Sequence, residues 1–150
     1  FLPDRFEPGT PNIPGILGLH AALCDLEQTD MDKLHQHELE LTQYFINGLM
    51  QMDPSESTLR AIGKHNTIER TSVVSVQTLQ TDMARVAYEM DDTYGIMTRV
   101  GLHCAPSAHK TLGTYPEGTI RFSFGPENTH HEVDLALHAL AEITGSPYHL

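Results

Sequence analysis

Ile16, Leu17, Leu19, Ala22 and Leu26 recur at helical spacing, Pro14 suits a first turn, and Thr29 and Asp30 break the pattern. These positions predict a helix over 16–27. Leu34, Leu41, Tyr44, Phe45 and Leu49 return every three, four or seven residues and predict a longer helix over 31–50, with Asp30 as its cap and Pro54 beyond its end. Two strands are expected next, over 57–63 and 71–77; the second is built on the β-branched run Thr71, Val73, Val74 and Val76, and the polar GKHNTIER between them reads as a loop. Thr81 or Asp82 can cap a third helix carrying Met83, Val86, Ala87 and Met90 on one face, which Gly95 stops before a strand over 96–100. Ile120, Phe122 and Phe124 then alternate with Thr119, Arg121 and Ser123, which puts Arg121 and Ser123 on one face and the apolar residues on the other. Thr129 caps a last helix with Val133, Leu137, Leu140 and Ile143 inward.

Ahead of all this, residues 1–14 carry Pro3, Gly9, Pro11 and Pro14 and are expected to form an extended arm without secondary structure. Residues 15–150 then make one domain. The order helix, helix, strand, strand, helix, strand, strand, helix predicts an α+β fold with a small, largely antiparallel sheet packed against helices.

Composition narrows the function. A chain of 150 residues can bury one sizeable core, about 70% of its unfolded surface. With 39% hydrophobic and 19% charged residues it fits a globular protein, and no run is long enough to cross a bilayer. A net charge of -11 repels phosphate backbones and argues against nucleic acid, leaving small molecules or proteins as partners. Cys24 and Cys104 stand far apart, with no CxxC pair and no signal-like start, which points to the cytoplasm. The opening FLPDRFEPGTPNIPG, without an initiating Met, reads as the middle of a longer protein.

Candidate chemistry gathers between Arg99 and Ser123. Cys104 follows His103 just past a strand, where a loop can lift the thiol out of the core; an imidazolium at His103 or the Arg99 guanidinium would lower its pKa. A small buried hydrophobe is the alternative for this cysteine. Arg121, alternating with large apolar residues, can clamp a carboxylate bidentately or stand on a solvated face. Lys110 invites comparison with a Schiff-base lysine, but the chain has no phosphate cradle upstream of it, and a surface role is expected. His35 with His37 and His130 with His131 have offsets that point apart on a helix, so no metal site is expected. Cys24 reads as core.

Taken together, FEPGTPNIPGILGLHAAL, YGIMTRVGLHCAP and TIRFSFGPENTHHEVD resemble the C-terminal part of the cysteine desulfurases, within the class V aminotransferase-like, pyridoxal phosphate-dependent enzymes. The likeness spans essentially the whole chain. It implies the small C-terminal domain of a fold-type I pyridoxal phosphate-dependent transferase, with the large cofactor-binding domain upstream of Phe1. It further implies that Cys104 takes sulfur from L-cysteine as a persulfide, giving alanine. Arg121 would bind the substrate carboxylate, with Arg99, His103 and Asn128 around the same substrate site. Thr10 would reach the cofactor phosphate of the neighbouring subunit in a homodimer, and a sulfur-acceptor protein is an expected partner. Two departures leave related reactions open: Leu102 stands where many members have a second histidine, and the loop from Cys104 to Arg121 is long. A selenocysteine lyase, an epimerase or an aminotransferase remain readings of the same fold, as does a non-catalytic interaction domain. By itself the chain is expected to be inactive, because the Schiff-base lysine is not in it.

Overall fold

Side-chain caps set where the helices start. In a computed structural model describing residues 1–6 and 9–147, Asn12 accepts a hydrogen bond from the Gly15 amide at 3.1 Å and opens α1 (Ile13–Gln28). Asp30 does the same for α2 (Met31–Met52) through the Lys33 amide at 3.2 Å. Asp82 caps α3 (Met83–Tyr94), and Thr129 with Glu132 forms a reciprocal capping box at α5 (His130–Thr144). Between these lie β1 (Leu59–Ile62), β2 (Val73–Thr78), β3 (Arg99–Gly101), a short helix α4 (Pro106–Leu112) and β4 (Thr119–Ser123).

The four strands form one sheet in the order β1-β2-β4-β3, every neighbouring pair antiparallel. Alternation sends Leu59, Ala61, Val74, Val76, Ile120 and Phe122 into one apolar core with Leu41, Phe45 and Leu49 of α2, Val86 and Met90 of α3, and Val133, Leu137 and Leu140 of α5. Phe45 stacks against Phe122 and Phe124 with ring centroids 4.8 and 5.3 Å apart. The opposite face of the sheet carries Arg60, Ser75, Gln77, Thr119 and Arg121. An α+β fold with a small antiparallel sheet against helices is therefore what the chain adopts.

The expectation that residues 1–14 lack secondary structure is corrected. Asp4–Phe6 form a 3-10 turn, and α1 begins at Ile13 because Asn12, a good cap, precedes Pro14 in the first turn. Residues 7 and 8 of that arm lie outside the described residues. The chain divides into two compact units, Phe1–Leu34 and His35–Leu150, a boundary inside α2 rather than after residue 14. Cys24 is half-buried rather than core, its Sγ lying 3.8 and 3.9 Å from the ring nitrogens of His20 one turn earlier.

Candidate active site

β3 ends at Gly101, and the chain turns back sharply. The Ala105 amide donates to the Leu102 carbonyl at 2.8 Å, while His103 and Cys104 have φ of 50° and 60°. Positive φ at both central positions is the pattern of a type I′ turn. For two residues that are not glycine this costs on the order of 1 kcal/mol each, so the surrounding contacts must hold it. The result is a thiol exposed at the tip of a turn.

His103 supplies one of those contacts. Its Nε2 lies 3.1 Å from the Thr119 carbonyl and therefore carries the proton, leaving Nδ1 buried without a partner. Burial pushes the His103 pKa down, the Thr119 contact opposes this, and the charges of Arg121, His109 and Arg99 push it further down. The ring is thus neutral at neutral pH, and the imidazolium expected beside Cys104 does not form there. His109 of α4 is buried, its Nδ1 2.6 Å from the Thr114 hydroxyl and its ring 6.0 Å from that of His103.

Arg99 and Arg121 face each other directly across β3 and β4. Among the described residues neither is in an ion pair, and the buried Nε of Arg121 has no hydrogen-bond partner. Two unneutralised guanidiniums side by side suit an anion, and a carboxylate can take both forks. Arg99 and Arg121 stand two residues along β3 and β4 from Gly101 and Thr119, where His103 anchors the turn that carries Cys104, and their charges are felt at the His103 ring.

Asn128 is placed elsewhere. Its Oδ1 accepts from the Gly125 amide at 2.8 Å and its carbonyl accepts from His37 at 2.9 Å, which shapes the loop before α5. It lines a cleft of about 340 Å³ with Tyr94, Thr98, Ser123 and Val133; the cleft holds neither Cys104 nor Arg121. Thr10 is exposed in the N-terminal unit. Of the three lysines, Lys33 pairs with Asp30 at 3.1 Å, Lys64 with Glu69 at 2.9 Å, and Lys110 lies over the Tyr115 ring at 5.0 Å. None fits a Schiff-base role. Among the described residues no three His, Cys, Asp or Glu side chains cluster to hold a metal. Gln77 carries no local signal in the sequence; His109, next to Lys110, lies in the basic last turn before Gly113, which marks the end of a short helix.

Residues 2–136 match the aminotransferase class-V family. The chain belongs to that family. It is 35% identical over 144 residues to a probable cysteine desulfurase of Pyrococcus abyssi, covering 96% of this chain and 34% of that protein. A probable cysteine desulfurase of Borreliella burgdorferi is 32% identical over 132 residues, covering 88% of this chain and 30% of the relative. In structure the chain is similar to the apo cysteine desulfurase of Thermococcus onnurineus NA1, with a TM-score of 0.80, 33% identity, and coverage of 95% of this chain and 34% of the other. The cysteine desulfurase CsdA (S-sulfonic acid) from Escherichia coli gives a TM-score of 0.69 at 26% identity, covering 95% of this chain and 34% of that one. The chain spans about a third of the length of the relatives it matches, and its fold is that of the corresponding part of these fold-type I enzymes.

Proposed function

We propose that this chain supplies the sulfur-accepting and carboxylate-binding half of a cysteine desulfurase active site. The observation that carries the reading is the unneutralised Arg99 opposite Arg121, two residues along the strands from Gly101 and Thr119, where the exposed Cys104 turn is anchored. Arg121 binds the carboxylate of L-cysteine with Arg99 beside it. The thiol of Cys104 takes the substrate sulfur, so that L-cysteine and the enzyme thiol become alanine and a Cys104 persulfide. Neutral His103 holds the turn through the Thr119 carbonyl.

Pyridoxal phosphate is the cofactor the family implies, and the chain's residues do not fit its covalent attachment. On this reading the lysine lies outside residues 1–150, and the chain alone has no desulfurase activity. The exposed Thr10 hydroxyl is available to a phosphate in a second subunit of a homodimer. Both cysteines are unpaired, which supports a reducing compartment such as the cytoplasm, and no helix among the described residues is long and apolar enough to cross a membrane. A sulfur-acceptor protein would receive the persulfide at the exposed turn.

The test uses the full-length protein with L-cysteine, following alanine by amino-acid analysis and persulfide on the Cys104 peptide by mass spectrometry. Wild type is expected to form both, and Cys104→Ser neither. A Cys104→Ser protein that still released alanine at the wild-type rate would overturn the reading.

A further inference from the structure

The Cys104 turn is seated on the start of β4. Gly118 and Gly101 bring their backbones so close that a Cβ on Gly118 would lie 2.2 Å from the Gly101 carbonyl oxygen, and Gly118 has φ of 81°. Only glycine fits there. Two consecutive carbonyls at this seat, those of Gly118 and Thr119, are each held by one side chain. His103 of the turn itself takes Thr119. Gln77 of β2, only 7% exposed, donates from Nε2 to the Gly118 carbonyl at 3.2 Å.

The orientation of the Gln77 amide is fixed from its far side. Arg60 of β1 donates to Gln77 Oε1. A guanidinium can only donate and a carbonyl can only accept, so no flipped amide satisfies both neighbours. A chain of side chains therefore runs across the polar face of the sheet from Arg60 through Gln77 to the backbone against which Gly101 and the turn are packed.

We propose that Gln77 is a positioning residue for Cys104, holding the Gly118 carbonyl so that the turn presents its thiol in one place, with Arg60 locking the amide. The proposal rests on Cys104 being the sulfur acceptor. Gln77→Glu isolates the relevant contact: it keeps an acceptor for Arg60 but sets an oxygen against the Gly118 carbonyl. Arg60→Met removes only the lock.

In the full-length enzyme, Gln77→Glu is expected to lower kcat for alanine release by roughly 10- to 100-fold, the loss that follows a small misplacement of a reacting group. KM for cysteine stays at the wild-type value because Arg121 is untouched. Alkylation of Cys104 by iodoacetamide in the resting enzyme, read by mass spectrometry, changes in rate; the melting temperature falls because an oxygen now opposes the Gly118 carbonyl, but the loss of kcat does not scale with that fall across the two variants. Arg60→Met moves kcat in the same direction by less. Wild-type kcat in both variants overturns the proposal, as does a loss of kcat that follows the melting temperature across the two. If Cys104→Ser itself still releases alanine, the sulfur-acceptor reading fails instead, and the alkylation rate in Gln77→Glu alone decides whether Gln77 positions the turn.

Discussion

Like charges directly opposite on neighbouring strands destabilise a sheet, so the Arg99 and Arg121 pair is maintained against the fold's own interest. Two outcomes follow from that. Arg99→Ser is expected to raise stability by up to ~1 kcal/mol, read as a higher urea midpoint at unchanged slope. Arg121→Lys exchanges a bidentate fork for a point charge, and KM for cysteine in the full-length enzyme should rise about 10- to 100-fold, the worth of a charge-assisted hydrogen bond. An unchanged KM would detach Arg121 from the carboxylate. His103 adds a pH effect: its folded pKa is lowered, first by burial, so as pH falls below about 6.5 the unfolded chain takes up this proton before the folded one does. Stability drains away on that acid side, and His103→Gln, which keeps a donor for Thr119 without titrating, should remove this part of the slope of unfolding free energy against pH. Cys104 and Arg121 stand out in the sequence because one follows a strand and the other alternates with large apolar residues. Gln77 does not. Its role depends on β2 lying beside β4 and on the loop ending at Gly118, pairings that no local pattern encodes.

Elements were most legible where a cap and a period agree. α2 and α5 are capped by Asp30 and Thr129 as expected, α3 by Asp82, one of the two caps expected there, and β2 and β4 follow their β-branched and aromatic alternations. β3 is shorter than the strand expected over 96–100 and starts only at Arg99, where pairing with β4 begins. α4 carries no periodic signal in the sequence, because seven residues offer too few turns for one. The link from α2 to β1 is held by a device with no sequence period at all. Asp53 is buried, which alone would raise its pKa, yet it accepts from the Leu59 and Thr58 amides at 3.0 and 2.6 Å and from the Ser55 hydroxyl at 2.8 Å, and these hold the carboxyl well below the usual range. A lowered carboxylate pKa stabilises the fold fully above the unfolded value near 3.9, and that stability is lost as pH falls through the folded value. Asp53→Asn should therefore cost about 1–3 kcal/mol at neutral pH and flatten the acid limb below about pH 4, measured by denaturant titration at several pH values. An acid limb identical to wild type would show that Asp53 does not carry it.

At the scale of the whole molecule, the two units differ in how they are held together. His35–Leu150 carries the entire buried core, whereas α1 in Phe1–Leu34 contains no buried residue. That helix is nonetheless rich in large apolar side chains: Ile16, Leu17, Leu19 and Leu23 are each more than half exposed. A 16-residue helix is marginal in water by propensity alone, and an apolar surface of this kind is a site of association. The net charge of -11 opposes contact between copies over long distances but is screened beyond about 10 Å at 0.1 M salt, where short-range apolar contact takes over. The 150-residue chain by itself is therefore expected to self-associate, with a sedimentation coefficient that rises with protein concentration and rises more steeply at higher salt. Replacing Leu19 and Leu23 with Gln should restore a single concentration-independent species. The circular dichroism of the core should stay unchanged, since neither residue belongs to the buried cluster. A wild-type chain that sediments as one monomeric species at every concentration and salt would show that α1 is not the adhesive surface its composition makes it.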